Sequence, residues 1–405
     1  MKKLLKFATV LIAGVISLNA VHAQQTIKIG AINPYSGPLA QFGSEVTRGY
    51  ELAVEAVNGK GGVLGRKVEL IKGDAGNPQQ GISIVSKLVE QDKVDLFMGT
   101  YTSAVSNTAS DSAARYNKVY WETHALSADL TERGLSNFIR SGPSAVHFAE
   151  TSVKGALEII APKLNKKPDQ LKVWIEHEDS VYGTSIAQAQ KKLFESAGVK
   201  VLGVGSHAFR AIDLTDSILR ARATAPDIWV STGYVPDSIL LLRTMRDQGF
   251  VPPAILMQGT GDSKEFLEAM GPFMDGIFVV GYPHADLAPS FAPGAAAFLA
   301  AYRKKFGTEP IAPQSLEAYA MANVLFDVIT AAGGTDMNKM IAATLALDKP
   351  VTTYPNGFGA KFDAKMQNTR ANPNITQWQK GRSVTIFPKN AAAPDTNIIN
   401  IPRAK

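Results

Sequence analysis

Short β-branched runs alternate with amphipathic stretches along most of the chain. Ile27–Ile32 reads as a first strand, and Gly43 to Asn58 as a helix with Ala53, Val54 and Val57 on one face. Val68–Ile71, running on to Asp74, predicts a second strand, and Asn77 to Gln91 a helix with Pro78 in its first turn, where a missing N–H is harmless. Val94 to Met98 predicts a third strand. The rhythm restarts after Ser141-Gly142-Pro143. Ala145 to Ile160 and Tyr182 to Ala197 read as helices. Leu171–Ile175, Val199–Val204, Asp227–Val230, Ala254–Met257 and Ile277–Val280 read as strands, with a helix ending at Gly249 before the fourth of these. From Ala288 to about Ala332 the pattern is helical, and Pro310 and Pro313 lie between two long helices. Residues from about Asn390 onward, rich in Ala, Asn and Pro, read as a loosely held tail. Strands alternating with helices predict α/β units with parallel sheets. Ligands in such sheets bind beyond the carboxyl ends of the strands, so two units facing each other would form a cleft.

The N-terminus changes the compartment. Lys2, Lys3 and Lys6 precede an apolar run from Phe7 to Leu18, and Val21-His22-Ala23 is a small-x-small cleavage pattern. Residues 1–23 therefore read as a secretory signal peptide, too short in its apolar run to span a bilayer. The residues after Ala23 are enough for roughly two domains. Losing three lysines lowers a formal charge of +6, and no Lys/Arg cluster stands out, so nucleic acid is not an expected partner. The chain has no Cys. An exported protein without disulfides relies on core burial, and thiol chemistry and Cys-containing metal sites are excluded. Six scattered His without an HExxH pattern give no metal centre, and no cofactor is expected.

The stretch "FMGTYTSAVSNTASDSAARYNKVYWETHA", residues 97–125, carries the main candidate chemistry. Hydroxyl residues follow a strand and open a helix near Ser103. The first N–H groups of a helix lack internal partners and carry partial positive charge, so Tyr101, Thr102 and Ser103 sit where a carboxylate could be held. On pattern alone, Ser103 either grips such an anion or caps its own helix.

Ordered blocks along the chain resemble the solute-binding proteins of the branched-chain amino acid ABC transporter family. They are Ile29-Gly30 through Ala40 with Gly43, "AVNGKGGVLGRKVELI", "DAGNP", "DLFMGTYTSAVSNTAS", "SADLTERG", "DSVYGTSIAQ" and "STGYVPDSILLLRTMRDQGF". The resemblance runs from about Thr26 to Pro388. It implies a type I periplasmic binding protein fold: two doubly wound Rossmann-like α/β lobes joined by three hinge crossings, a Venus-flytrap. The crossings are expected near Ser141–Pro143, Gly281–Pro283 and Val351–Pro355. Lobe 1 would be 26–142 plus 282–352, and lobe 2 would be 143–281 plus 353–388, with 389–405 as the tail. The resemblance also implies a ligand carboxylate near Ser103 and the Glu122-Thr123-His124-Ala125 loop. An aromatic from the first loop, Tyr35 or Phe42, would cover the ligand, one of the two being core. Tyr182 and Tyr234 would close the second lobe over it. Family members carry an acid for the ligand ammonium near the position of Thr260 or Gly261; here Asp262 and Glu122 are the nearest acids. Without a counter-charge a buried ammonium costs several kcal/mol, so the solute could instead be another carboxylate or an amide. A disulfide found in some members would join the positions of Gly76 and Thr102, and both lack Cys.

The function implied is a monomeric periplasmic component of an importer, delivering a small solute to an inner-membrane permease and ATPase. A ligand sensor with a membrane signalling partner is the alternative. An enzyme is not expected. There is no G-x-S-x-G elbow, and Glu176-His177-Glu178-Asp179 reads as a solvated loop.

Overall fold

The computed structural model describes residues 26–393 and 396–403. The signal peptide expected over 1–23 lies outside them. The first sheet has strand order β2-β1-β3-β4-β5, from β1 (Ile27–Asn33), β2 (Val68–Asp74), β3 (Leu96–Gly99), β4 (Tyr120–Glu122) and β5 (Phe138–Arg140). All its pairings are parallel. The helices between are α1 (Ala40–Gly59), α2 (Pro78–Glu90), α3 (Ser103–Arg115) and α4 (Asp129–Glu132). The strands expected from periodicity are present. β4 and β5 span three residues each, too few to print a pattern.

Local chemistry starts the helices. Asn77 accepts from the Gln80 N–H at the head of α2, with Pro78 in the first turn. α1 buries Phe42, Val46, Tyr50 and Ala53 on one face. It packs on a long later helix, Gln314–Ala332, and Gly49 permits this: a Cβ there would stand 2.1 Å from the Ser315 carbonyl oxygen. On the other face, Val85 and Leu88 of α2 and Val105, Ala109 and Ala113 of α3 cover Ile32, Phe97 and Tyr120.

The second sheet has order β14-β13-β10-β9-β8-β6-β7. Its parallel strands are β6 (Lys172–Glu178), β7 (Lys200–His207), β8 (Ile228–Gly233), β9 (Ala254–Gly259) and β10 (Phe278–Gly281). α5 (Ala145–Lys154) continues through a π-helical turn, Gly155–Ile160, into α6 (Ala161–Lys163). α7 (Val181–Ser196), α8 (Thr215–Thr224), α9 (Val235–Asp247) and α10 (Lys264–Met270) complete this lobe. α11 (Ala295–Phe306) and α12 (Gln314–Ala332) are the two helices on either side of Pro310 and Pro313, and α13 (Met337–Ala346) follows. After a two-residue ribbon of β11 (Asp348–Lys349) and β12 (Ala360–Lys361), the antiparallel hairpin β13 (Asn374–Gln379) and β14 (Arg382–Phe387) joins the second sheet at β10.

Two expectations are corrected. Near Val351–Pro355 the chain is still held by α12: the Tyr354 hydroxyl donates to Asp327 and Asn356 donates to Glu317. The return to the second sheet comes later. Arg140 and Asn368 are joined by backbone bonding there, and Gln367 and Asn368 side chains donate to the Gly142 and Ser141 carbonyls. The C-terminal segment is anchored, not loose. The Arg403 guanidinium donates to the Phe273 and Asp275 carbonyls, and Gln377 bonds both the N–H and C=O of Ile399. Ala and Asn composition signalled looseness because these partners are more than a hundred residues, or a whole hairpin, away.

Candidate binding cleft between the lobes

The carboxyl ends of β3 and β4 in the first lobe face those of β8 and β9 in the second. Between them lies a narrow void of about 20 Å³, room for about one water, lined by Tyr101, Ser103, His124, Leu126, Tyr182, Tyr234, Gly259, Thr260, Tyr282 and Gln314. Of the residues expected at the site, Tyr101, Ser103, His124, Tyr182, Tyr234 and Thr260 are thus brought together. The rings form a file across the cleft. Phe42 stacks on Tyr101 at 5.5 Å, Tyr101 lies 6.4 Å from Tyr234, and Tyr234 lies 5.2 Å from Tyr182. Burial raises the pKa of Tyr101, Tyr182 and Tyr234, so all three are neutral hydroxyl bearers. Gly259 has φ of 78°, and a Cβ on it would stand 2.4 Å from the Tyr182 hydroxyl. The glycine is what lets that ring reach its place.

His124 is fixed by a relay. Its Nδ1 meets the Thr123 hydroxyl at 2.7 Å and its Nε2 meets the Gln314 carbonyl at 3.2 Å. Burial, only partly offset by the Gln314 carbonyl, lowers its pKa to about 3, so the ring is neutral. The bond to the carbonyl makes Nε2 the protonated nitrogen. Ser103 is the first residue of α3, and no acidic side chain occupies the first turn. Its hydroxyl accepts from the Ser127 N–H at 3.1 Å. The N-terminal N–H groups of α3 therefore present partial positive charge with no acidic side chain of their own turn to meet it.

The other expected site residues do not line the void. Tyr35 turns back on its own lobe, bonding the Thr47 hydroxyl at 2.7 Å, and Phe42 is core behind Tyr101, so neither reaches the void. Thr102 is the cap residue of α3, without a side-chain cap bond. Ala125 packs into the first lobe. Glu122 is fully buried and consumed by that lobe: one carboxylate oxygen accepts from the N–H groups of Thr123, His124 and Ala125, the other from Thr100 N–H and the Thr100 and Ser106 hydroxyls. Asp262 lines a separate, larger groove, where His284 Nε2 meets it at 2.6 Å. No acid and no Lys or Arg lines the cleft void.

Glu176–Asp179 is not a solvated loop. Glu176 and Glu178 are fully buried. Glu176 accepts from Trp174 and, with Asp237, brackets His207 at 3.2 and 3.1 Å. Asp237 in turn accepts from the Tyr234 N–H, so this charged cluster sets the start of α9 and the Tyr234 ring. Trp121 is core, with its indole donating to the Met321 carbonyl.

Sequence reasoning missed Leu126, Gly259, Tyr282 and Gln314 as lining residues. Tyr282 sits in the crossing already suspected as a hinge, and its hydroxyl donates to the His124 carbonyl at 2.8 Å. Gln314 had no local signal beyond the Pro before it. It comes from a helix some two hundred residues away from the loops it faces.

A family profile described as "Periplasmic binding protein" matches residues 26–383. The chain belongs to the periplasmic binding protein family. Leu/Ile/Val-binding protein homolog 7 of Brucella suis biovar 1 (strain 1330) is 34% identical over 381 residues, 94% of this chain and 96% of its own. The solved leucine-binding protein LivK of Thermotoga maritima matches 91% of this chain and 99% of its own, with a TM-score of 0.77 at 22% identity. A solute-binding protein of an ABC transporter from R. palustris, solved with benzoate, matches 92% of this chain and 99% of its own, with a TM-score of 0.74 at 20% identity. This periplasmic binding protein is folded with its lobes together. The Ala128 N–H of the first lobe donates to the Ser185 hydroxyl of the second at 2.9 Å, and the Lys264 N–H donates to the Ile311 carbonyl at 3.3 Å.

Proposed function

We propose that this protein is the periplasmic component of an ABC importer, exported by its N-terminal segment and acting as a monomer. It captures a small monocarboxylate in the interlobe cleft and delivers it to a membrane permease and ATPase. One observation carries the reading. The cleft offers the N-terminus of α3 and buried hydroxyls, but no acid. A carboxylate meets partial positive charge there. The ammonium of an amino acid would be buried without a counter-charge, because Glu122 and Asp262 are engaged elsewhere. The aromatic walls favour a flat apolar body. The benzoate-bound relative and the Leu/Ile/Val-binding homologues bracket the choice, and the absence of a lining acid favours the former chemistry.

The test is a thermal-shift screen of the purified protein with branched-chain amino acids, amides, dicarboxylates, and aromatic and aliphatic monocarboxylates, followed by calorimetry. At a hundred times Kd a solute stabilises by about 2.7 kcal/mol, which a melt resolves. Monocarboxylates should raise Tm, and leucine, isoleucine and valine should not. Raised Tm with the amino acids alone would overturn the carboxylate reading.

A further inference from the structure

Gln314 is 1% exposed and lines the cleft, yet neither atom of its side-chain amide has a hydrogen-bond partner among the described residues. A buried donor or acceptor left unpaired is expensive, and such groups in folded proteins have an explanation. Here the surroundings supply none. The backbone carbonyl of Gln314 is taken by His124, the Tyr282 hydroxyl is spent on the His124 carbonyl, and His124 has both nitrogens engaged. The amide is therefore an unpaired donor and an unpaired acceptor in the same enclosed space as Ser103 and the start of α3.

We infer that Gln314 meets the solute through its side-chain amide, and that the group it meets is neutral and able both to donate and to accept: a phenol, an alcohol or a primary amide. The inference rests on the carboxylate reading above. A hydrocarbon end leaves both amide atoms unpaired. An ammonium satisfies the oxygen but sets its charge against the NH₂, with no acid in the lining to offset it. A hydroxyl donates to Oε1 or accepts from Nε2, and an amide does both. Rejection of an analogue that lacks the polar group follows from the same unpaired atoms.

Matched pairs test this by calorimetry on the full chain: benzoate with 4-hydroxybenzoate, and 4-methylpentanoate with 4-hydroxy-4-methylpentanoate, with leucine as the ammonium-bearing probe. The hydroxylated member of at least one pair should bind about tenfold or more tightly than its partner. Gln314→Leu should abolish that difference while leaving the apo Tm unchanged or higher, since it removes two unpaired atoms. Gln314→Glu should lose all anion binding. Binding of both members of each pair with equal affinity, or a difference that survives in Gln314→Leu, would overturn the role of Gln314 and leave the carboxylate reading standing. Failure of every monocarboxylate with the wild type, or tightest binding of leucine, would overturn both.

Discussion

Glu122→Gln probes how the first-lobe side of the cleft is built. The carboxylate is fully buried and accepts four backbone N–H bonds, three on one oxygen at 2.8, 2.9 and 2.9 Å and one on the other, from Thr100, at 2.9 Å. Burial pushes its pKa up, and the bonds from Ala125, Ser106, Thr100 and His124 pull it back. In the Gln variant the amide oxygen can keep the three N–H groups of residues 123–125. The NH₂ must then face the Thr100 N–H, donor against donor. The Thr100 and Ser106 hydroxyls can rotate to accept, but a backbone N–H cannot. Losing one charge-assisted bond and stranding one buried donor amounts to about 3 kcal/mol. For a lobe-sized unit that is a fall in Tm of roughly 6–12 °C. Calorimetry and urea unfolding read it directly, and solute affinity should fall as well, because the same carboxylate ties the loop before Ser103 to the loop carrying His124. A Gln variant that melts within about 2 °C of wild type would refute the reasoning, since it would mean that the carboxyl is protonated in the fold and the Gln mimics it.

Other perturbations follow from the same geometry. At His207 burial opposes the charge, but the bonds to Asp237 and Glu176 raise the pKa to about 9. The stabilisation is complete below the unfolded value of about 6.5 and is lost as pH rises to about 9, roughly 3 kcal/mol in all; urea midpoints should fall across that window, and His207→Gln should flatten the fall. His124 behaves oppositely: its pKa of about 3, depressed by burial, gives stability that is present above about pH 6.5 and lost as pH falls, roughly 2–3 kcal/mol by pH 4.5, and His124→Asn should remove that acid slope in urea titrations. Gly49→Ala should destabilise by about 2 kcal/mol in urea, despite the helix preference of Ala, because the new Cβ meets the Ser315 carbonyl oxygen at 2.1 Å; a gain in stability would mean that α1 and α12 slide apart freely. Tyr182→Phe should weaken solute binding about tenfold with Tm unchanged, as measured by calorimetry, if its hydroxyl meets the solute.

Much of the architecture was legible. Seven- and eight-residue strands with β-branched residues and long amphipathic helices print their period, and Asn77-Pro78 marks a helix start by a local bond. The six lining residues that were anticipated sit at strand ends, where a parallel sheet puts its loops. What escaped was short or remote. β4 and β5 are too brief to carry a period. The third crossing depends on Gln367 and Asn368 meeting Arg140–Gly142, and the C-terminal segment on Arg403 meeting Phe273 and Asp275.

The linear chain by itself determined the alternation of strands and helices and the two α/β units with loops at their strand ends, because those follow from periodicity and local capping; the hinged lobes and the second-lobe side of the cleft came from the family resemblance of its ordered blocks. Only the tertiary structure decided which polar groups line the cleft with their hydrogen bonds unmade. Glu122 and Asp262 are each a plausible contact when read in sequence, and Gln314 carries no signal there. Six donors close around Glu122, His284 engages Asp262, and nothing among the described residues meets the Gln314 amide. A polar side chain is available to a ligand only when the protein leaves its hydrogen bonds unmade, and that depends on neighbours brought from distant stretches of the chain.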